Sequence, residues 1–286
     1  MPGFALRTVR PRSRQQRKRR RKSTLLERLR RWWQRACWVW RKLTLAPLSV
    51  RLIVIAAIGG AVFMTVDIAY QVFRKPTELF YPARYALNKA PAETWRDYGS
   101  LFRRYSTATI TPELLAALAQ VEGAGNPVAH TYWRWRLSWH PFEIYEPASS
   151  AVGMYQMTAA AFADARHYCI RQHMVVEQGC WSDGLYTRIL PSDAIELTAA
   201  LLDRNVAAVL EDAHTHATVA QRQELAAVIH LCGMRPATEF ARRGFRPGQG
   251  EHCGDHEVAD YLARVDAMKR EFARLAADDR ALAGAQ

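Results

Sequence analysis

Acidic side chains are nearly missing from the first 51 positions, where Glu27 stands alone against 17 lysines and arginines. That local balance of +16 exceeds the +13 of the whole chain, so residues 52–286 carry −3. A uniformly basic surface is thereby excluded, and the positive charge belongs to an N-terminal arm. Cysteine is scarce, five in 286 residues, and neither a CxxC nor an HExxH spacing occurs. Zinc-ribbon and zincin frameworks are excluded. His252 and His256 around Cys253, and the pair His214 and His216, read as solvated turns. Glycine and proline are few, 15 and 13, which rules out collagen-like and low-complexity chains. No Rossmann glycine fingerprint, P-loop or internal repeat is found. Long uncharged runs are missing too, with one exception.

The exception is Leu52–Val66, 15 residues without a charge, which continues past Asp67 to Phe73 for 22 residues in all. At about 1.5 Å per residue this crosses a hydrocarbon layer of about 30 Å. Residues 50–73 are therefore expected to form one transmembrane helix. Asp67 should lie near the far interface, because a carboxylate at the bilayer centre costs a few kcal/mol. The basic stretch ahead is too long for an ordinary cleaved signal peptide, which points to an uncleaved signal anchor. The positive-inside rule then leaves the N-terminus in the cytoplasm, the anchor in the inner membrane and everything after about residue 74 in the periplasm.

Residues 1–23 are almost purely basic and polar, and the run Arg17–Lys22 repels itself, so this arm is expected to be disordered. In residues 24–45, Leu25, Leu29, Trp32, Trp33, Ala36, Trp40 and Leu43 recur at helical spacing among arginines. That is the pattern of an amphipathic helix lying on anionic lipid headgroups. A soluble partner-binding helix or a nucleic-acid arm competes with this reading. The adjoining apolar segment favours the membrane, and nucleic acid is not the expected partner.

Residues 74–109 read as a stalk packed against the domain, and residues 110–286 as the domain itself, mainly α and closed by a C-terminal helix. Helices are expected from Pro112 to the Gly123 region, from Ser192-Asp193, over Glu224–Leu231 and over Val258–Leu275. Four cysteines lie beyond the apolar segment, in a compartment where disulfides form. Three pairings are possible. Neighbour pairing, Cys169 with Cys180 and Cys232 with Cys253, closes short loops and is the expected one.

The helix from Pro112 sets Leu115, Leu118 and Glu122 on one face, with Glu122 in its last turn. Burial and the partial negative charge of a helix C-terminus both favour the neutral acid there, the form that a general acid for glycosidic cleavage needs. About 30 residues later comes Ser149–Thr158, SSAVGMYQMT. A turn at Gly153 would let backbone approach a ligand, and Gln156 offers an amide. Between them Tyr132, Trp133, Trp135, Trp139, Phe142 and Tyr145 interleave with Arg134 and Arg136. Aromatic faces stack on sugar rings, and guanidinium groups meet carboxylates.

Leu115–Glu122, LAALAQVE, followed by Ala151–Met157, AVGMYQM, resembles the soluble lytic transglycosylase (SLT) domain, which carries a helix ending in a catalytic Glu and then a GLMQ-type motif. The resemblance covers roughly residues 110–235. It implies a lysozyme-like helical domain, here on a single N-terminal transmembrane helix, acting on peptidoglycan glycan strands. It implies Glu122 as catalytic acid and base. Ser150, Gly153, Met154, Tyr155, Gln156, His230, Tyr132 and Trp133 are the expected substrate-binding residues. No cofactor or metal is called for. The chain resembles in particular the transglycosylases attached to conjugation and secretion machines, which open the wall locally. Gly123 stands where the family usually has Ser, and Tyr155 where it has Leu or Met. His230-Leu231-Cys232-Gly233 stands where it has Tyr-Asn-Ala-Gly, so His230 is expected where a tyrosine hydroxyl meets the acid. A two-carboxylate hydrolase with Glu143 or Glu146 as second acid, and a non-catalytic glycan-binding scaffold, are the alternatives.

Overall fold

The computed structural model of the chain describes residues 25–83, 85–177, 180 and 186–284. The basic arm, residues 1–23, lies outside them. The chain divides into two compact units, residues 1–65 and 66–286.

In the first unit, helix α1 (Leu25–Thr44) carries Trp32, Trp33, Trp38 and Trp40 with their rings exposed. Arg51 folds back onto the turn after it, bonding the carbonyls of Ala46 and Thr44. Helix α2 (Leu48–Arg74) starts here and ends in the second unit. It is the one described helix long and apolar enough to cross a membrane, and its bounds fall within two residues of the expected 50–73. Leu52, Ile53, Ile55, Ile58 and Val62 are all exposed.

The second unit is mainly helical. Its core is organised around α4 (Pro112–Gly123), which packs on α9 (Val258–Gly284) and α3 (Pro91–Tyr105). On the other side, α6 (Pro191–Asp212), α7 (Val219–Cys232) and α8 (Met234–Arg242) pack on one another. A short helix, α5 (Ala159–Ala165), lies on α6. Among the described residues, three two-stranded antiparallel hairpins decorate the bundle: β1–β2 (Trp133–Trp135 with Tyr145–Pro147), β3–β4 (Cys169–Arg171 with Met174–Val176) and β5–β6 (His252–Cys253 with His256–Glu257).

The expected stalk, residues 74–109, contributes to the core itself. A 3-10 helix (Pro76–Ala83) is followed by α3, whose Trp95 and Phe102 are buried, and the Trp95 indole N–H donates to Asp279 at the far end of α9. The period of α3 was obscured by its arginines, which line only its outer face. α7 opens earlier than expected, at Thr218, whose side chain and that of Gln221 cap each other's backbone. α9 runs nine residues past Leu275. Cys169–Cys180 and Cys232–Cys253 form disulfides, as the short-loop argument expects, and Cys37 is free.

Candidate active site

α4 is built to place one side chain. Thr111 caps its first turn by accepting from the Leu114 N–H, and Pro112 occupies N1, where no N–H is needed. Leu114 to Ala119 are wholly buried. The helix stops where Ala124 turns left-handed (φ 49°), with the N–H groups of Ala124 and Gly125 returned to the carbonyls of Gln120 and Ala119. One turn of helix thus emerges from the core, and Glu122 sits on it with its side chain 18% exposed.

Two side chains from distant helices meet Glu122. The Tyr261 hydroxyl, from the first turns of α9, donates to Glu122 Oε1 at 2.6 Å. Burial raises the Tyr261 pKa well above the usual tyrosine value, and the adjoining Glu122 carboxylate adds to this, so the hydroxyl keeps its proton and serves as a donor. His230, in the last turn of α7, brings Nε2 to 3.9 Å from the same oxygen, too far for a hydrogen bond. His230 does stand beside the acid, where it was expected, but it is not the group hydrogen-bonded to it. That group is a tyrosine, from another helix. Sequence reasoning missed Tyr261. It lies on the inward stripe Val258, Tyr261, Val265 of α9, but nothing local marks a partner 139 residues away.

The two motifs touch through their backbones. A Cβ added to Gly123 would lie 2.8 Å from both Cα and O of Met154, so no side chain, serine included, fits there without a shift. The departure at Gly123 therefore has a steric reason. Gly153 (φ +83°) is equally constrained, since a Cβ would stand 2.3 Å from the Arg188 carbonyl oxygen. Met154 and Tyr155 were expected to touch substrate, yet both are core residues, 0% and 1% exposed, and the Tyr155 hydroxyl donates to the Leu115 carbonyl within α4. An alternation of buried and exposed residues is not enforced in a turn, so the pattern did not show which side they face. Gln156, in left-handed conformation (φ 45°), donates its amide to the carbonyls of Ala129 and Gly153. Ser150 accepts from the Ala159 N–H at the start of α5. Arg188, which sequence reasoning also missed, holds this loop by donating to the carbonyls of Ser150 and Met157 at 2.7 and 2.9 Å.

No family model and no curated protein matches the chain. The site therefore stands on its own geometry.

A cleft of about 340 Å³, its wall more apolar than polar, is lined by Met157, Leu201, Ile229 and Met234 together with Gln156, Asp164, Asn205 and His230, among others, and Glu122 is not part of the lining. His230 belongs to both the cleft wall and the surroundings of Glu122. Thr198 also lines the cleft, and its buried hydroxyl has no hydrogen-bond partner among the described residues. Of the expected aromatic residues, Tyr132 is exposed. Trp133 is occupied internally: its indole N–H donates to Glu78 and its ring packs on Tyr81 and Tyr145. Glu143 and Glu146 are bound into the β1–β2 hairpin, taking the Ser138 hydroxyl and Arg136 respectively. Among the described residues, Glu122 has Tyr261 as its hydrogen-bond partner and His230 as a neighbour at 3.9 Å. The arrangement is a carboxyl with Oε1 anchored by Tyr261 and with His230 between it and a cleft that also carries Asp164.

Proposed function

We propose that this protein is a membrane-anchored lytic transglycosylase of peptidoglycan, with a lysozyme-like domain held in the periplasm by α2 as a signal anchor. The observation that carries the reading is Glu122 itself, a carboxyl at the end of a buried helix, oriented by Tyr261 and neighboured by His230, which lines a cleft. The backbone contact between the Glu122 turn and the Gly153 loop supports it, since these are the two segments that resemble the SLT motifs. The +16 arm ahead of the apolar helix supports the orientation.

The chemistry needs one carboxyl. Glu122 in its acid form gives the Oε2 proton to the oxygen linking N-acetylmuramic acid to N-acetylglucosamine, and the C1–O bond breaks. The substrate's acetamido oxygen bonds to C1 and spreads the positive charge. The muramic 6-hydroxyl then attacks C1 and displaces the acetamido oxygen. Its proton passes to Glu122, which restores the acid and leaves a 1,6-anhydro ring. Tyr261 keeps Oε1 engaged throughout, so the same oxygen serves both proton transfers. Local wall opening for an envelope-spanning secretion or conjugation machine is the role such an anchored enzyme would fill.

The test is the product. Full-length protein in detergent, incubated with sacculi, should release fragments with anhydro ends, lighter by one water than hydrolysed ends, and Glu122→Gln should release none. Reducing ends from the unmodified protein would make it a hydrolase. No fragment from either protein, with sacculi still bound, would make it a glycan-binding scaffold.

A further inference from the structure

The β1–β2 hairpin ends in a tip that the fold leaves bare. Leu137 and Trp139 are fully exposed, and Trp135 is two-thirds exposed. Scattered apolar residues on a surface are ordinary, but these three come from one five-residue stretch, and the stretch is ordered. Ser138, between Leu137 and Trp139, donates its hydroxyl to Glu143 and accepts from the His140 N–H, and Arg136 N–H closes on the Ile144 carbonyl. The tip is a held shape in which Trp135 rests one ring face on Tyr145, while Leu137 and Trp139 have no cover among the described residues.

The base of the tip is fastened to the exit end of the apolar helix. The Phe142 ring packs on Tyr70 with centroids 4.9 Å apart, and Gln71 donates its amide to the Phe142 carbonyl at 2.6 Å. Gln71 and Asp67, one turn apart on α2, are buried there. The chain just beyond adds Phe73 and Leu79, both exposed, and the 3-10 helix that carries Leu79 bonds to the hairpin through Glu78 and Trp133. Arg74, Lys75, Arg134 and Arg136 lie along the same segments.

We infer that the hairpin tip is a second membrane contact, which seats Leu137 and Trp139 in the headgroup region of the bilayer that α2 crosses. Tryptophan is the side chain suited to that layer, and of the two hairpin arginines Arg134 is exposed for an anionic headgroup while Arg136 is paired with Glu146. A sugar strand is the poorer fit, because Leu137 offers a glycan neither a ring face nor a hydrogen bond. A helix and a hairpin tip together remove the domain's freedom to swing about its tether. They also fix the catalytic loop, because the hairpin strands lead into the paired backbone of His130 and Val152, next to Gly153. The cleft would then work at a set height above the membrane. The inference rests on the reading of α2 as membrane-spanning.

The test uses full-length protein in vesicles of phosphatidylethanolamine and phosphatidylglycerol, in a Cys37→Ser background. Nitroxide labels are placed singly at Trp139→Cys, Leu137→Cys, Ile58→Cys in mid-α2 and Glu211→Cys on the surface of α6. Relaxation by oxygen should exceed relaxation by a water-soluble nickel chelate at 137, 139 and 58, and the order should reverse at 211. If 137 and 139 behave like 211 while 58 stays in lipid, the anchor stands and the hairpin inference is overturned. If 58 is also open to water, the spanning reading fails and the inference fails with it. Added sacculi should leave the 139 spectrum unchanged; immobilisation by sacculi but not by lipid would make the tip a glycan contact and overturn the inference.

Discussion

Tyr261 reaches across the fold from α9 to hold Glu122 of α4, hydroxyl to Oε1, at 2.6 Å. A hydrogen bond to an ionisable group is worth about 1.5–3 kcal/mol, and about 1.4 kcal/mol is a factor of ten in rate. Tyr261→Phe should therefore slow release of anhydro fragments by roughly 10- to 100-fold while the ring stays packed and the far-UV circular dichroism is unchanged. A rate equal to the unmodified protein's would remove Tyr261 from the mechanism.

Gly123 meets the Met154 backbone where a Cβ would stand 2.8 Å away. Restoring the serine usual in the resembling family should thus harm this protein. Gly123→Ser is expected to cost about 1–3 kcal/mol of stability by overpacking, seen as a lower denaturant midpoint with unchanged slope. A neutral or stabilising outcome would mean that the loop around Met154 yields easily.

Burial raises the pKa of Tyr155, and burial with the Glu122 charge raises that of Tyr261, both well above the usual value. The unfolded chain releases these protons near pH 10, whereas the folded chain retains them. The folded state then binds more protons, so stability is intact below about pH 10 and falls as pH rises above it. Denaturant midpoints at about pH 9 and about pH 11 should show that loss, and Phe at both positions should flatten it. An equal decline in the double variant would assign the alkaline sensitivity elsewhere.

The disulfides should separate stability from activity. Their chain separations are 11 and 21 residues, and removal of either is expected to cost about 3 kcal/mol on loop-closure grounds. Only Cys232–Cys253 flanks the site, two residues after His230 and five before the start of α9. Replacing that pair with Ala should lower activity, assayed where both variants remain folded, more than replacing Cys169 and Cys180. Equal activities would show that α7 and α9 hold their positions without the bond.

The apolar helix, the course of α4 and the two motifs were legible because each is a local pattern. Thr111-Pro112 starts a helix whatever lies around it, and an uncharged run of sufficient length declares itself. α3 was less legible, since Arg96, Arg103 and Arg104 mask an inward face of Trp95 and Phe102 that only packing against α9 explains. The turn at Gly153 was visible as a glycine, but not that its neighbours Met154 and Tyr155 face the core.

By itself, the sequence determined the segregation of charge, the one helix apolar enough to cross a membrane and the position of Glu122 at a helix end. Hydropathy period, capping and charge runs act over a few residues, and neighbours in the chain suffice to express them. Tertiary structure decided that Tyr261 rather than His230 bonds the carboxyl, that a side chain at Gly123 would press on the Met154 backbone and that Phe142 lies against Tyr70. Those contacts join segments far apart in the chain. The first follows from burying the inward faces of α4, α7 and α9 together and the others from loops closing on α4 and on α2, and no stretch of sequence contains those arrangements.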